Sequence, residues 1–149
     1  MEKNQRKKAI LKLINKLKTK HKIIPLFYVE SGSRLWGFEN KDSDFDVRGF
    51  HLLNKKDYFG IRPAKDMVEI KNAKIDLVSF SIDKAFGLLL NSNPSVCEWI
   101  RSDLIYYNDF ASLKDLENFR KVILKCINLK ALFHHYLSMA KENFYKYVQ

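Results

Sequence analysis

Apolar and polar positions along this chain follow two different periods, and each period predicts a different kind of element. From Gln5 to Lys20 the apolar residues recur every three or four positions, which predicts an amphipathic helix whose apolar stripe packs on the domain. From Leu26 onward, short apolar runs bounded by polar residues predict strands. The predicted strands are Leu26–Glu30, Asp44–Leu53, Met67–Ile70 and Lys74–Phe80.

The helical period returns after residue 80, and a residue suited to capping precedes each predicted helix. Pro94 suits the first position of a helix, and Asp115 stands three residues after a serine, as in a capping box. Residues 104–107 form a brief strand or an extended link. The predicted capping and dividing positions are Ser81, Asn93, Ser112 and Asn128.

These elements predict an α+β fold, a small mixed β-sheet flanked by helices, with a helical C-terminal segment. At 149 residues, of which 46% are hydrophobic, the chain is long enough for one domain core. We expect a single compact unit in three parts. They are a basic amphipathic helix (1–24), a central sheet region (25–108) and a C-terminal helical segment (109–149).

The stretch that follows the first predicted strand carries most of the candidate chemistry. Gly32 and Ser33 come directly after that strand, and a glycine turn lets backbone amides approach a phosphate closely. Asp44 and Asp46 alternate with apolar residues, so both carboxylates point to one face of a strand. Two like charges held together favour a cation between them, and Mg²⁺ prefers carboxylate oxygens.

Asp76 is the one acid within the fourth predicted strand. If its strand neighbours that of Asp44 and Asp46, three carboxylates converge, and they can hold two Mg²⁺ ions, with Mn²⁺ as an alternative. Such a centre clamps the attacking and leaving oxygens of phosphoryl or nucleotidyl transfer. Asp76 could also act as general base toward an acceptor hydroxyl. Arg34 and Arg48 are candidate phosphate contacts.

Each of these residues also has a plainer interpretation. Asp44 and Asp46 could form a polar strand edge or a loop cap, and Asp76 could simply face solvent. Arg48 shares their strand face by alternation, so it could form a structural salt bridge with the acidic cluster instead of binding phosphate. A Gly-Ser pair alone is a weak signal, and only its combination with the acidic residues favours a phosphate site.

The charge is +10, and residues 1–22 hold nine Lys and Arg side chains against one Glu. This surface is either a solvated helix face or a contact surface for a phosphate backbone. No apolar run has the roughly 20 residues that a membrane span needs. We expect no membrane association and a cytoplasmic protein, with Cys97 and Cys126 as reduced core residues.

The remaining aromatic and histidine residues are expected to have structural roles. The four histidines have no zinc spacing with cysteine or acid and are expected to be structural or at the surface. Trp36 and Trp99 are expected in the core. The late aromatics are expected to pack against neighbouring helices with some exposed edge; they are Phe133, Tyr136, Phe144, Tyr145 and Tyr147.

The motifs together resemble a known superfamily. Residues 30–38, residues 42–49 and Asp76 resemble the signature of the DNA polymerase beta nucleotidyltransferase superfamily. Residues 88–102 and 135–141 are similar to its predicted RNA-repair-pathway branch, so the resemblance covers about residues 25–141. It implies a minimal nucleotidyltransferase fold with residues 25–108 as the catalytic core.

The resemblance also implies roles for matched positions. Asp44, Asp46 and Asp76 would be ligands of two catalytic Mg²⁺ ions, and Gly32 with Ser33 would be the phosphate-binding turn. Members of this branch continue with further helices, whereas this chain ends in a helical pattern at Gln149. We therefore expect either a short form or part of a longer protein.

The expected function is metal-dependent transfer of a nucleoside monophosphate from a nucleoside triphosphate to an acceptor, with an RNA end as the candidate acceptor. Two alternatives remain open. The acceptor could be a protein side chain, as in toxin–antitoxin-type nucleotidyltransferases. The chain could also be a non-catalytic nucleic-acid-binding module of the same fold, although a binder has no need of clustered acids near phosphate.

Overall fold

A five-stranded mixed sheet with helices on both faces forms the protein. The computed structural model describes residues 3–61 and 64–148, without the side chain of Lys3. The helices are α1 (Lys3–His21), α2 (Gly32–Leu35), α3 (Lys55–Tyr58), α4 (Ile82–Leu90), α5 (Pro94–Arg101), α6 (Leu113–Lys125) and α7 (Leu129–Tyr147). The strands are β1 (Ile24–Glu30), β2 (Phe45–Leu52), β3 (Met67–Lys71), β4 (Ile75–Ser81) and β5 (Ile105–Asn108).

The order of the strands across the sheet is β3-β4-β2-β1-β5. β1 runs antiparallel to both β2 and β5, and β3 runs antiparallel to β4. The central pair, β2 and β4, is parallel, with Phe45 opposite Ile75 and His51 opposite Ser81. The expected α+β class with a small mixed sheet is confirmed.

One face of the sheet is covered by α1, as its apolar stripe predicts. Ile10, Ile14 and Leu17 are fully buried, and they pack with the sheet residues Tyr28, Phe45, Val47 and Leu77. The lysines of α1 from Lys7 onward remain exposed. Because burying each large aliphatic side chain contributes about 1.5–3 kcal/mol, this stripe fixes the helix to the sheet.

The opposite face is covered by α4, α5 and α6. Trp99 of α5 is buried, as expected, with its ring centroid 4.8 Å from that of Phe80 and 6.0 Å from that of Phe50. Leu116 and Ile123 of α6 complete this second cluster. The two clusters separate because successive side chains of each strand point to opposite faces.

A buried polar cluster lies within the α1 side of the sheet. The Ser79 hydroxyl is 2.7 Å from the Tyr28 hydroxyl and 2.8 Å from Nδ1 of His51, and all three residues are buried. Burial, and to a smaller extent the nearby His21, lowers the pKa of His51 to about 4. His51 is therefore a structural histidine, as predicted.

Most predicted boundaries are confirmed to within two residues. Ser81, Asn93 and Ser112 each accept a hydrogen bond from the backbone N–H three residues later, and Asn128 caps α7. β1 begins at Ile24 rather than Leu26. β2 begins at Phe45, so Asp44 lies just before the strand instead of on it.

Three predictions of burial are wrong. The Trp36 side chain is 58% exposed, and Cys126 is exposed, whereas Cys97 is buried. α7 buries none of its residues, so among the described residues the expected packing of its aromatics is found only at Tyr136, whose hydroxyl donates to Glu98 of α5. An apolar stripe at helical spacing predicts a helix, and whether another element covers that stripe depends on the fold. No helix among the described residues is long and apolar enough to cross a membrane.

Candidate active site

The turn between β1 and α2 is shaped by Gly32, whose φ angle is +61°. A Cβ atom at this position would lie 2.0 Å from Oδ2 of Asp46. Residues other than glycine rarely adopt this backbone angle, and the close approach of Asp46 leaves no room for a side chain. The turn is also tied to β2, because the Ser31 N–H donates to the Asp46 carbonyl at 2.8 Å. The glycine therefore allows backbone to rest against the Asp46 carboxylate.

The register of the parallel pair brings two of the predicted acids together. Asp46 on β2 lies directly opposite Asp76 on β4. Both side chains are on the sheet face opposite α1, since Phe45 and Val47 point toward α1. They remain accessible, with side-chain exposures of 29% for Asp46 and 24% for Asp76. The structure thus supplies the strand adjacency on which the predicted site depends.

The Arg48 guanidinium lies between these two carboxylates. Its Nη2 atom is 2.9 Å from Oδ1 of Asp46 and 3.0 Å from Oδ2 of Asp76. Its Nη1 atom also donates to the Asp76 carbonyl at 2.7 Å. The salt bridge to the acidic cluster is therefore the contact that Arg48 makes, and a contact between Arg48 and phosphate stays a prediction.

Asp44 is not joined to this pair. It precedes β2, and within residues 3–61 and 64–148 its side chain makes no hydrogen bond or ion pair. Nor do these residues contain a group of three His, Cys, Asp or Glu side chains arranged to hold a metal ion. Asp46 and Asp76 are instead bridged by the Arg48 guanidinium, which supplies the positive charge between them. Convergence of all three carboxylates on metal stays a prediction.

The chemistry of the donors suits a hard divalent cation. The carboxylate oxygens of Asp46 and Asp76 both lie within hydrogen-bond distance of one cationic group, so a positive charge between them is favourable. Asp46 and Asp76 would be the ligands. Asp44 stands two positions before Asp46 and would reach the same face of the sheet if the strand pattern extends to it.

The other two predicted phosphate contacts are placed differently. Ser33 is partly exposed in α2, and its carbonyl accepts the N–H of Phe38 at 2.9 Å. Arg34 donates to the carbonyls of Ser43 and Asp44 at 2.7 and 3.2 Å, and its guanidinium lies over the Phe45 ring. Arg34 thus holds the loop that precedes β2, and its role toward phosphate stays a prediction.

Glu30 is an important residue that the sequence did not single out. It is buried, its Oε1 accepts the Asp46 N–H at 3.0 Å, and its Oε2 accepts the Tyr106 hydroxyl. Burial raises the pKa of Glu30, while the hydrogen bond from Tyr106 opposes that rise. Glu30 therefore positions the start of β2. An acid at the end of an otherwise apolar strand was the available signal.

The sequence of this chain is similar to a protein family and to two curated proteins. The model of the RNA repair pathway DNA polymerase beta family matches residues 6–149. The chain is 33% identical over 144 residues to the uncharacterized protein YcgL of Bacillus subtilis, covering 96% of this chain and 54% of YcgL. It is 34% identical over 122 residues to the uncharacterized protein MJ0002 of Methanocaldococcus jannaschii, covering 79% of this chain and 48% of MJ0002. No solved structure matches.

Fold and family match together indicate a DNA polymerase beta-like nucleotidyltransferase fold. The chain belongs to the RNA repair pathway DNA polymerase beta family. The suspected resemblance is thereby confirmed. The chain spans about half the length of the curated relatives that it matches.

Proposed function

We propose that this chain is a metal-dependent nucleotidyltransferase. It transfers a nucleoside monophosphate from a nucleoside triphosphate to an acceptor hydroxyl, and an RNA end is the proposed acceptor because the family is named for an RNA repair pathway. The observation that carries the proposal is the β2–β4 register. That register sets Asp46 opposite Asp76 and beside the Gly32 turn.

Each part of the site has a distinct task in the proposed reaction. The Gly32 turn, whose backbone lies against the Asp46 carboxylate, would bind the triphosphate through its backbone amides beside that carboxylate. Asp46 and Asp76, with Asp44 as a third candidate, would hold Mg²⁺ or Mn²⁺. The bound metal supplies charge neutralisation at the phosphate oxygens. Glu30 keeps Asp46 in position through its backbone N–H.

Bond changes in the transfer follow from these positions. The acceptor oxygen attacks the α-phosphorus, and the bond from that phosphorus to the bridging oxygen of the β-phosphate breaks, releasing pyrophosphate. Asp76 accepts the proton of the acceptor hydroxyl. Arg48, which neutralises Asp46 and Asp76 in the structure, would supply a further positive charge near the phosphates. Catalysis then rests on positioning and charge stabilisation.

The exposed lysines of α1 favour RNA as the acceptor. Eight of the nine basic residues counted in residues 1–22 have described side chains, and seven of them are exposed. A surface of this kind binds a phosphate backbone in a salt-dependent way. These lysines and the carboxylates are on opposite faces of the sheet, so an RNA strand that contacts both would have to pass around the sheet.

An assay of label transfer tests the proposal. The chain is incubated with each nucleoside triphosphate labelled at the α-phosphate, with Mg²⁺ or Mn²⁺ and with RNAs of defined ends, and pyrophosphate release and labelled RNA are measured. We expect both products from the wild type. Asp46→Asn should lower the rate at least about a hundredfold, because a charge aimed at the reacting groups is lost.

Glu69→Gln is the matched control, because Glu69 is an exposed acid on the edge strand of the same sheet. It should react at the wild-type rate. Absence of pyrophosphate release with every triphosphate and RNA end would refute the proposal, as would full activity of Asp46→Asn. Label appearing on added cell protein instead of RNA would show that the acceptor is a protein side chain.

A further inference from the structure

A groove beside the candidate active site has no role in the proposed function. Neither the acidic cluster nor the Gly32 turn lines it. It lies between α2, α5 and α7 and has a volume of about 500 Å³. Its walls include Trp36, Glu98, Arg101 and Tyr136. Trp36 was expected in the core, yet its side chain is 58% exposed. An exposed indole in a groove next to a phosphate turn needs a reason.

The position of Trp36 connects the groove to the Gly32 turn. α2 is a single turn that begins at Gly32 and is capped by Trp36. At about 1.5 Å of rise per residue, Trp36 is roughly 6 Å along the helix from Gly32. A nucleotide whose phosphates lie at Gly32 can therefore reach the groove with its base.

Hydrogen bonds join the α5 and α7 wall of the groove to the candidate active site. Ser102, directly after α5, donates its hydroxyl to the Glu30 carbonyl at 2.7 Å, and the Glu30 side chain holds the Asp46 N–H. Tyr136 of α7 donates its hydroxyl to Glu98 of α5 at 2.6 Å. A chain of hydrogen bonds thus connects the wall of the groove to Asp46.

The groups in the groove are those that recognise a heterocycle. Trp36 and Tyr136 offer aromatic faces, and stacking is tolerant of base identity. Glu98 offers a carboxylate oxygen beyond the one bonded to Tyr136, and it can accept an exocyclic N–H. Arg101 is exposed and makes no hydrogen bond or ion pair within residues 3–61 and 64–148, so its guanidinium is available. The charges of Arg101 and Glu98 cancel in this groove, whereas a surface that binds phosphate carries an excess of positive charge.

We propose that this groove binds the base of the incoming nucleoside triphosphate, which stacks on Trp36 with Arg101 and Glu98 at its edge. The proposal rests on the proposed nucleotidyl transfer and names the part of the molecule that holds the substrate's base. It assigns to Trp36 a binding role rather than a role in the core.

Tryptophan fluorescence and binding affinity test the assignment. The chain is titrated with each nucleoside triphosphate, with inorganic tripolyphosphate and with a short single-stranded RNA, all in the presence of Mg²⁺. We expect a triphosphate to quench the emission of Trp36, because Trp99 is buried, and tripolyphosphate to leave it unchanged. Trp36→Ala should weaken triphosphate binding roughly tenfold through loss of stacking. It should leave tripolyphosphate binding unchanged.

Two variants serve as controls. Trp36→Phe keeps an aromatic face and should bind the triphosphate within about threefold of the wild type. Phe59→Ala removes an exposed aromatic outside the groove and should have no effect.

The outcomes separate this assignment from the proposed function. If triphosphate and tripolyphosphate bind alike and Trp36→Ala changes neither, the base assignment is overturned while the phosphate turn stands. If Trp36→Ala weakens both equally, Trp36 is structural and the assignment is again overturned. If RNA alone quenches Trp36, the groove holds the acceptor's base instead. If neither phosphate ligand binds, the proposed function falls as well.

Discussion

The two faces of the β2–β4 strand pair carry two polar clusters that differ in burial and in charge. On the α1 side, Ser79 is hydrogen-bonded to His51 and to Tyr28 of the adjacent β1, and all three residues are fully buried. On the other side, the acidic cluster of Asp46, Arg48 and Asp76 is partly exposed and charged. The same strands in the same register thus produce a neutral structural network and an ionic one. Burial decides which network is neutral and which is charged, because a charge is costly to bury and much less costly to keep where solvent reaches it.

The largest contrast is expected in the free energy of unfolding. Ser79→Ala removes the shared partner of two buried groups, the Tyr28 hydroxyl and His51 Nδ1, and should destabilise the fold by about 2–3 kcal/mol. Asp76→Asn alters a partly exposed ion pair and should change stability by less than about 1 kcal/mol. Urea unfolding of both variants measures the two effects.

Ser138→Ala is the control for this pair, since Ser138 is exposed on α7, and it should lie within about 0.5 kcal/mol of wild type. Equal losses for Ser79→Ala and Asp76→Asn would mean that burial does not separate the two clusters.

A second effect sharpens the contrast through pH. The pKa of His51 is lowered from 6.5 to about 4 in the folded chain, first by burial. Nε2 of His51 has no hydrogen-bond partner among the described residues, so an added proton there would be unpaired. The unfolded chain therefore binds this proton more tightly, and the stabilisation present above pH 6.5 is lost as pH falls toward 4.

Between pH 7 and pH 5 this difference corresponds to about 2 kcal/mol. The wild type should lose that much more stability than His51→Gln over the interval, as measured by urea unfolding at each pH. Other groups titrate alike in both proteins, including Glu30, whose raised pKa acts in the opposite direction. Parallel pH profiles for the two proteins would show that His51 is not the group responsible.

The smallest effect concerns the acidic cluster itself. Arg48→Met leaves Asp46 and Asp76 opposite each other without their shared cation and should lower the free energy of unfolding by about 1 kcal/mol. Millimolar Mn²⁺ should then raise the melting temperature of the variant more than that of the wild type, because metal no longer competes with the guanidinium. Lys121→Met, an exposed cation on α6, is the control. An identical response of Arg48→Met and wild type to Mn²⁺ would argue against metal between these carboxylates.

Local signals account for the parts of the fold that could be predicted. The capping residues Ser81, Asn93 and Ser112 act within three residues of themselves, so their roles can be read from the chain. Strand alternation likewise placed Arg48 on the face of Asp46 and left the salt bridge as one of two open interpretations. In these features, the residues that interact are also close to each other along the chain.

The parts that were missed depend on which elements become neighbours. Spacing alone does not pair Asp46 with Asp76; the register of two strands thirty residues apart does. The stripes of α1 and α7 have similar patterns, yet only α1 has a sheet face to cover. Trp36 is exposed for the same reason, since the described residues of α5 and α7 beside it leave 58% of Trp36 accessible. Only the assembled structure shows which side chains remain uncovered.

Glu30 has a mechanical consequence for the sheet. Its single carboxylate spans three adjacent strands, since it belongs to β1 and bonds to Asp46 of β2 and Tyr106 of β5. An edge strand normally frays independently of the centre of a sheet. Here, detachment of β5 would leave a buried carboxylate with one partner fewer and loosen the backbone of Asp46. The short edge strand, four residues long and far in sequence from Asp46 and Asp76, thus shares one cooperative unit with them.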